Sequence, residues 1–165
     1  MGMHILSSGQ ASGIEDRHTL HTVVDSSIEW SGRIVDMVED RVVVVEGEQP
    51  VVRQYTRHPG AVAVVAMRGE VGCEEVLLER QYRHPVRASL WEIPAGLLDI
   101  PGEDPLVAAE RELAEETDLK AGCWDVLVDF FTSPGGSTEP IRVFLARDLA
   151  PTGTTFEREE EEATM

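Results

Sequence analysis

Residues 61–67, Ala61-Val62-Ala63-Val64-Val65-Ala66-Met67, form an unbroken apolar run in a chain whose charged residues make up 27%. A run this short and this rich in valine reads as a β-strand that shows neither face to water. Such a strand needs cover on both sides, so the chain must build a layered domain around it. With 165 residues it can bury a core of that kind without disulfide or metal staples. No segment approaches the roughly 18 apolar residues of a membrane span.

Other strand-like runs surround this one. Val23-Val24, Ile28 to Val35 and Arg41 to Val45 are separated by Ser26-Ser27, Glu39-Asp40 and then Gly47-Glu48-Gln49-Pro50, all turn formers. Val51 to Tyr55, Glu75 to Tyr82, Leu90 to Pro94, Trp124 to Phe131 and Ile141 to Leu145 complete the set. Residues 1–20 are polar and mixed and read as a mobile arm. One helix stands out. Asp104 suits the N-cap, Pro105 suits the first helical position, Leu106, Ala109 and Leu113 recur on one face, and Thr117-Asp118 ends the element. Many strands with one strong helix indicate a mixed sheet in an α+β or α/β domain.

Net charge is −17, from 31 acidic against 14 basic residues. A field of that sign repels nucleic acid and anionic lipid, so neither is an expected partner. An anionic substrate would need a cation to intervene. The N-terminus lacks the basic start and apolar run of an export signal, which points to the cytoplasm and to reduced cysteines. Cys73 and Cys123 are too few for a zinc site and are expected as buried small hydrophobes. The five histidines show no metal-ligand spacing.

The helix is crowded with like charge. Glu112, Glu115 and Glu116 fall within five residues, and the i,i+4 pair Glu112 and Glu116 lies about 6 Å apart on one face. Arg111 can pair with Glu115 one turn on. All-oxygen ligands on a rigid helix suit a hard divalent cation, Mg²⁺ or Mn²⁺. A solvated charged face would carry the same spacing, so spacing alone leaves both readings open.

The surrounding residues add to this. Residues 96–119 read GLLDIPGEDPLVAAERELAEETDL. The segment closely resembles the Nudix hydrolase signature, G-x5-E-x7-R-E-(apolar)-x-E-E-x-G-(apolar), through Glu103, Arg111, Glu112, Leu113, Glu115, Glu116 and Leu119. It departs twice: six residues separate Gly96 from Glu103, and Asp118 replaces the final glycine. Outside the box, Trp91-Glu92-Ile93-Pro94-Ala95-Gly96, Gln81-Tyr82-Arg83 and Ser133-Pro134-Gly135 resemble the ADP-ribose pyrophosphatase branch, and the longer loop is similar to that of its actinobacterial members. The likeness covers roughly residues 28–165.

The resemblance implies a Nudix fold, a mixed-sheet α/β/α sandwich with an N-terminal β-rich segment. Residues 21–165 would be a single domain, and 22–57 a dimerisation segment exchanged in a homodimer. Members of the branch continue into a further strand and helix, so the domain reads as truncated at Met165. The implied activity is Mg²⁺-dependent (or Mn²⁺-dependent) hydrolysis of ADP-ribose, a nucleoside diphosphate sugar, to AMP and ribose 5-phosphate. Another nucleoside diphosphate substrate, or a non-catalytic nucleotide-sensing or dimerisation module, is the competing reading. By family role, Ala95 (through its carbonyl), Glu112 and Glu116 would hold metal, with Glu115 a possible further ligand. Gly96, Glu103 and Arg111 would brace the motif. The base would be Glu162, in the acidic run 157–162, and Glu116 would share the catalytic centre. Trp30, Arg53, Arg83 and Glu139 would contact the substrate.

Overall fold

The computed structural model describes residues 16–156; the expectations for residues 1–15 and for the acidic run, Glu162 included, lie outside them. Residues 16–20 are exposed and without regular structure. Strands β1 (Thr22–Ser31), β2 (Asp36–Val43) and β3 (Val51–Arg57) form a three-stranded antiparallel sheet in chain order. The turns expected at Ser26-Ser27 and at Glu39-Asp40 are not made; Glu39-Asp40 lies inside β2, paired on both sides. Both serines pair with β2, and the irregularity is absorbed as register shifts on either side, between Val23 and Asp25 and between Ile28 and Trp30. Serine permits a turn without compelling one, and an available antiparallel partner satisfies its backbone better. The chain reverses instead at Gly32–Val35, where the Gly32 N–H donates to the Val35 carbonyl at 2.8 Å. Ile34 and Val35 therefore leave the strands, and Val44-Val45 do so at the next reversal, where the Glu48 N–H donates to the Val45 carbonyl at 3.1 Å.

The apolar run becomes β4 (Ala61–Arg68), the centre of the main sheet. On one side β10 (Pro140–Pro151) runs parallel to it and in turn pairs antiparallel with β9 (Leu119–Phe131). On the other side lie β5 (Glu75–Val76) and β8 (Ala95–Leu97), both antiparallel to β4. The single strand expected over Glu75–Tyr82 is broken. Leu77 still donates to the Ala66 carbonyl, but the chain then leaves the sheet. There β6 (Glu79–Arg83) forms a hairpin with β7 (Ala88–Glu92) through a 3₁₀ turn, His84–Val86.

Helix α1 (Pro105–Thr117) covers one face of the sheet. Asp104 caps it, its carboxylate accepting from the Leu106 N–H at 2.8 Å, and Pro105 takes the first position. Val62, Val64 and Ala66 point to the helix and meet Ala108, Ala109 and Leu113; Phe144 and Ala146 of β10 complete this core. The two helix alanines keep side-chain bulk small where the backbones approach, and Trp124 stands edge-on to Phe144. Ala61 and Ala63, on the opposite face of β4, are also buried, as the unbroken apolar run demands. The domain is thus α/β with a mixed sheet, and among the described residues one α-helix layer packs on it. Cys73 is exposed rather than buried, because it falls in the turn after β4 and not in an element; Cys123, on β9, is half-buried.

Candidate active site

Helix α1 directs its crowded face at β8. The approach is close enough that a Cβ on Gly96 would fall 1.9 Å from Glu112 Cδ. Only a residue without a side chain leaves room for the Glu112 carboxylate to lie against this backbone. One turn on, Glu116 is buried at 7% exposure, and its Oε2 accepts the Ala95 N–H at 3.1 Å. Two carboxylates from one helix face thus converge on the Ala95–Gly96 backbone.

Arg111 ties the rest together. Its Nε and Nη2 grip both oxygens of Glu103 at 3.2 and 3.1 Å, while Nη1 reaches Glu112 at 2.7 Å and Glu115 at 3.2 Å. The sequence points to Glu115 as its partner; the guanidinium fork in fact serves three carboxylates at once, as five donors in a plane permit. Its hydrogen bonds to Glu103, more than offsetting burial, raise its pKa, with Glu112 adding to the effect. The Glu112 carboxyl is pushed up, chiefly by burial; Arg111 opposes this, and Glu115 and Asp99 reinforce it.

Ala95, Gly96, Arg111, Glu112, Glu115 and Glu116 line one cleft of about 930 Å³, and Arg83 lies in it too. Arg83 grips Glu92 with three contacts of 2.6 to 3.1 Å, and that pairing, with the more distant Glu79 and Glu116, raises its pKa. Ala95, Gly96, Arg111, Glu112, Glu115 and Glu116 are thus gathered with Arg83, and Glu103 joins them through Arg111. Trp30, Arg53 and Glu139 are not among the cleft's lining residues. Trp30 is 61% exposed and packs over Gly32, where a Cβ would fall 2.4 Å from its ring. Arg53 donates to the Val52 carbonyl beside it. Glu139 accepts from the Thr132 hydroxyl and lies 3.5 Å from His58 Nε2. In their place the cleft contains Arg33, Asp99 and Phe156, which the sequence reading did not single out, and Gln81, which it quoted only for the resemblance and not as a site residue. Arg33 sits in the Gly32–Val35 turn, and reading Ser31-Gly32 as that turn would have brought it forward.

Residues 56–165 match the NUDIX domain. The chain belongs to the Nudix family. It is 43% identical over 148 residues to the ADP-ribose pyrophosphatase of Mycobacterium tuberculosis, covering 90% of this chain and 69% of that protein. It is 37% identical over 133 residues to the ADP-ribose pyrophosphatase of Bacillus subtilis, covering 81% and 69%. A third relative, the methanol dehydrogenase activator of Bacillus methanolicus, is 43% identical over 121 residues, covering 73% of this chain and 63% of its own length. Among solved structures, the crystal structure of an ADP compounds hydrolase superposes with a TM-score of 0.67 over 89% of this chain and 76% of the other, at 22% identity. That likeness is one of fold, and the fold is the Nudix fold.

Nudix hydrolases are generally dependent on a divalent metal. Among the described residues no three His, Cys, Asp or Glu side chains are gathered into a ready cage. The donor set nonetheless fits a hard cation. All of it is oxygen, Glu112 and Glu116 share a face, and the side-chain-free backbone at Gly96 lets the Glu112 carboxylate lie against Ala95–Gly96. In this arrangement the carboxylates are occupied by Arg111 and a backbone amide instead. Among the described residues no helix is long and apolar enough to cross a membrane.

Proposed function

We propose that this Nudix hydrolase cleaves the diphosphate bond of ADP-ribose to AMP and ribose 5-phosphate, with Mg²⁺ or Mn²⁺. The observation that carries the reading is the convergence of Glu112 and Glu116 on the Ala95–Gly96 backbone inside a cleft that also contains Arg83 and Arg33. The M. tuberculosis and B. subtilis relatives, which bear the name ADP-ribose pyrophosphatase, support the choice of substrate.

In this reading Glu112, Glu116 and the Ala95 carbonyl hold the ion, with Glu115 available as a further ligand. The ion supplies charge neutralisation for the diphosphate and acidity for the attacking water. That answers the problem set by a net charge of −17, since the protein's own field opposes an anionic substrate. Glu103 and Arg111 hold the loop before α1 against the helix, fixing where the two ligand carboxylates stand. Arg83, buttressed by Glu92, presents positive charge to a phosphate. Proton abstraction falls to Glu162 by family role.

Residues 21–165 act as one domain, and 22–57 form the contact surface of a homodimer. The exposure of Val23, Val24, Ile28, Trp30, Val51 and Val52 on this sheet supports that assignment. Trp30 and Arg53, which stand apart from the chain's own cleft, would reach the partner's, and Glu139 would contact the terminal ribose.

The test is AMP release from ADP-ribose, measured with and without Mg²⁺ beside a panel of other nucleoside diphosphate sugars. Metal-dependent release fastest from ADP-ribose is expected. Preference for another member of the panel would reassign the substrate, and no turnover of any would overturn the reading.

A further inference from the structure

The glycine that closes the Nudix signature is Asp118 here, and it takes the conformation that glycine would, φ 59° and ψ 20°. A residue with a Cβ is uncommon in this left-handed region, though aspartate enters it more readily than most. Its main chain does what a glycine could do. The N–H donates to the Ala114 carbonyl and the C=O accepts from Thr152, both at 2.9 Å. Its side chain does something glycine cannot: Oδ1 accepts the N–H of Phe156 at 2.9 Å, 38 residues further on. Asp118 therefore holds the chain after β10 at two points, Thr152 and Phe156. Phe156 is half-buried and lines the same cleft as Arg111, Glu112, Glu115 and Glu116.

We propose that Asp118 is a positioning residue whose carboxylate latches the Phe156 amide and so holds Phe156 as a wall of the substrate cleft, setting substrate affinity. The inference rests on reading that cleft as the ADP-ribose site. The helix end alone would be served at least as well by glycine; what aspartate adds is the acceptor for Phe156.

Three variants separate the latch from a plain helix cap. Asp118→Gly keeps the backbone conformation and removes the acceptor. Asp118→Asn keeps both a tolerance for the conformation and an acceptor oxygen. Phe156→Ala removes the wall. Amide exchange at Phe156 should be on the order of tenfold faster in D118G than in wild type, the scale of one lost hydrogen bond to a charged group, and within about twofold of wild type in D118N. With ADP-ribose and Mg²⁺, D118G should raise KM by about three- to tenfold with kcat within about twofold, and D118N should restore KM. Because Asp118 acts through Phe156, D118G/F156A should raise KM no further than F156A alone. Unchanged Phe156 exchange in D118G, or additive effects on KM in the double variant, would overturn the proposal. No turnover by the wild-type chain would instead remove the functional reading, and the exchange comparison would still decide the latch.

Discussion

Arg111 Nη1 stands 2.7 Å from Glu112 Oε1, so the cation nearest the helix carboxylates is bound to the very group that a metal ion would need. If Glu112 holds the ion as proposed, Arg111 and a divalent cation compete for it. The same guanidinium also carries Glu103 and Glu115, and Arg111→Lys leaves a point charge that cannot serve all three. Stability without metal should fall by about 1–3 kcal/mol, read from the urea midpoint. Saturating Mg²⁺ should recover more of that loss than it adds to wild type, and equal stabilisation of the two proteins would contradict the competition.

Glu112→Gln or Glu116→Gln should lower turnover by orders of magnitude while leaving the fold in place. Each removes the charge of a proposed ligand. The amide oxygen introduced by Glu116→Gln can still accept the Ala95 N–H, and a neutral side chain at position 112 no longer suffers burial of its charge. Circular dichroism should be unchanged and the metal-induced rise in Tm should shrink. Near-normal Mg²⁺-dependent activity in both variants would exclude these residues as ligands.

Gly96→Ala places a methyl group where the Glu112 carboxylate lies. Overpacking of this kind costs about 1–3 kcal/mol, and the cheapest relief is for Glu112 to swing away. Activity should drop close to that of Glu112→Gln, and combining the two changes should lose little more. Independent, multiplying losses would show that Gly96 matters for some reason other than room for Glu112.

The Tyr55 hydroxyl donates to Asp40 Oδ2 at 2.9 Å, and burial first, then that bond, raises its pKa above the ordinary value of 10.0. Folded protein therefore keeps this proton after unfolded chain has released it, and stability falls as pH rises through about 10 and beyond. Tyr55→Phe should flatten the decline between about pH 9.5 and 11 in chemical denaturation. Parallel curves for the two proteins would rule Tyr55 out as the source.

The helix and its caps could be read from sequence because each signal is local. Asp104 and Pro105 act within one turn, and Asp118 ends α1 in the conformation expected of it. The strand β4 was legible from burial on two faces. What the sequence hid was partner choice. Ser26-Ser27 lies inside β1 because β2 is there to pair with it, and Glu79 to Arg83 leaves the main sheet because β7 offers a second partner. The core of the candidate site lies in one motif and was visible with it. Arg33 and Phe156 reach the cleft from residues far along the chain, and only the tertiary fold brings them there.

The parallel pairing of β4 with β10 joins residues 80 positions apart, Ala61 to Ile141. On the ribosome, β4 emerges with the edge meant for β10 open, and at about 5–20 residues per second that edge waits on the order of 4 to 16 seconds for its neighbour. Among the described residues, β5, and then β8, are the strands that pair with the other edge. An unpaired apolar strand is a ready template for another chain, so the vulnerable interval of this protein's synthesis lies between the appearance of Met67 and that of Ala146. Slow codons in that stretch would lengthen the exposure and fast ones shorten it.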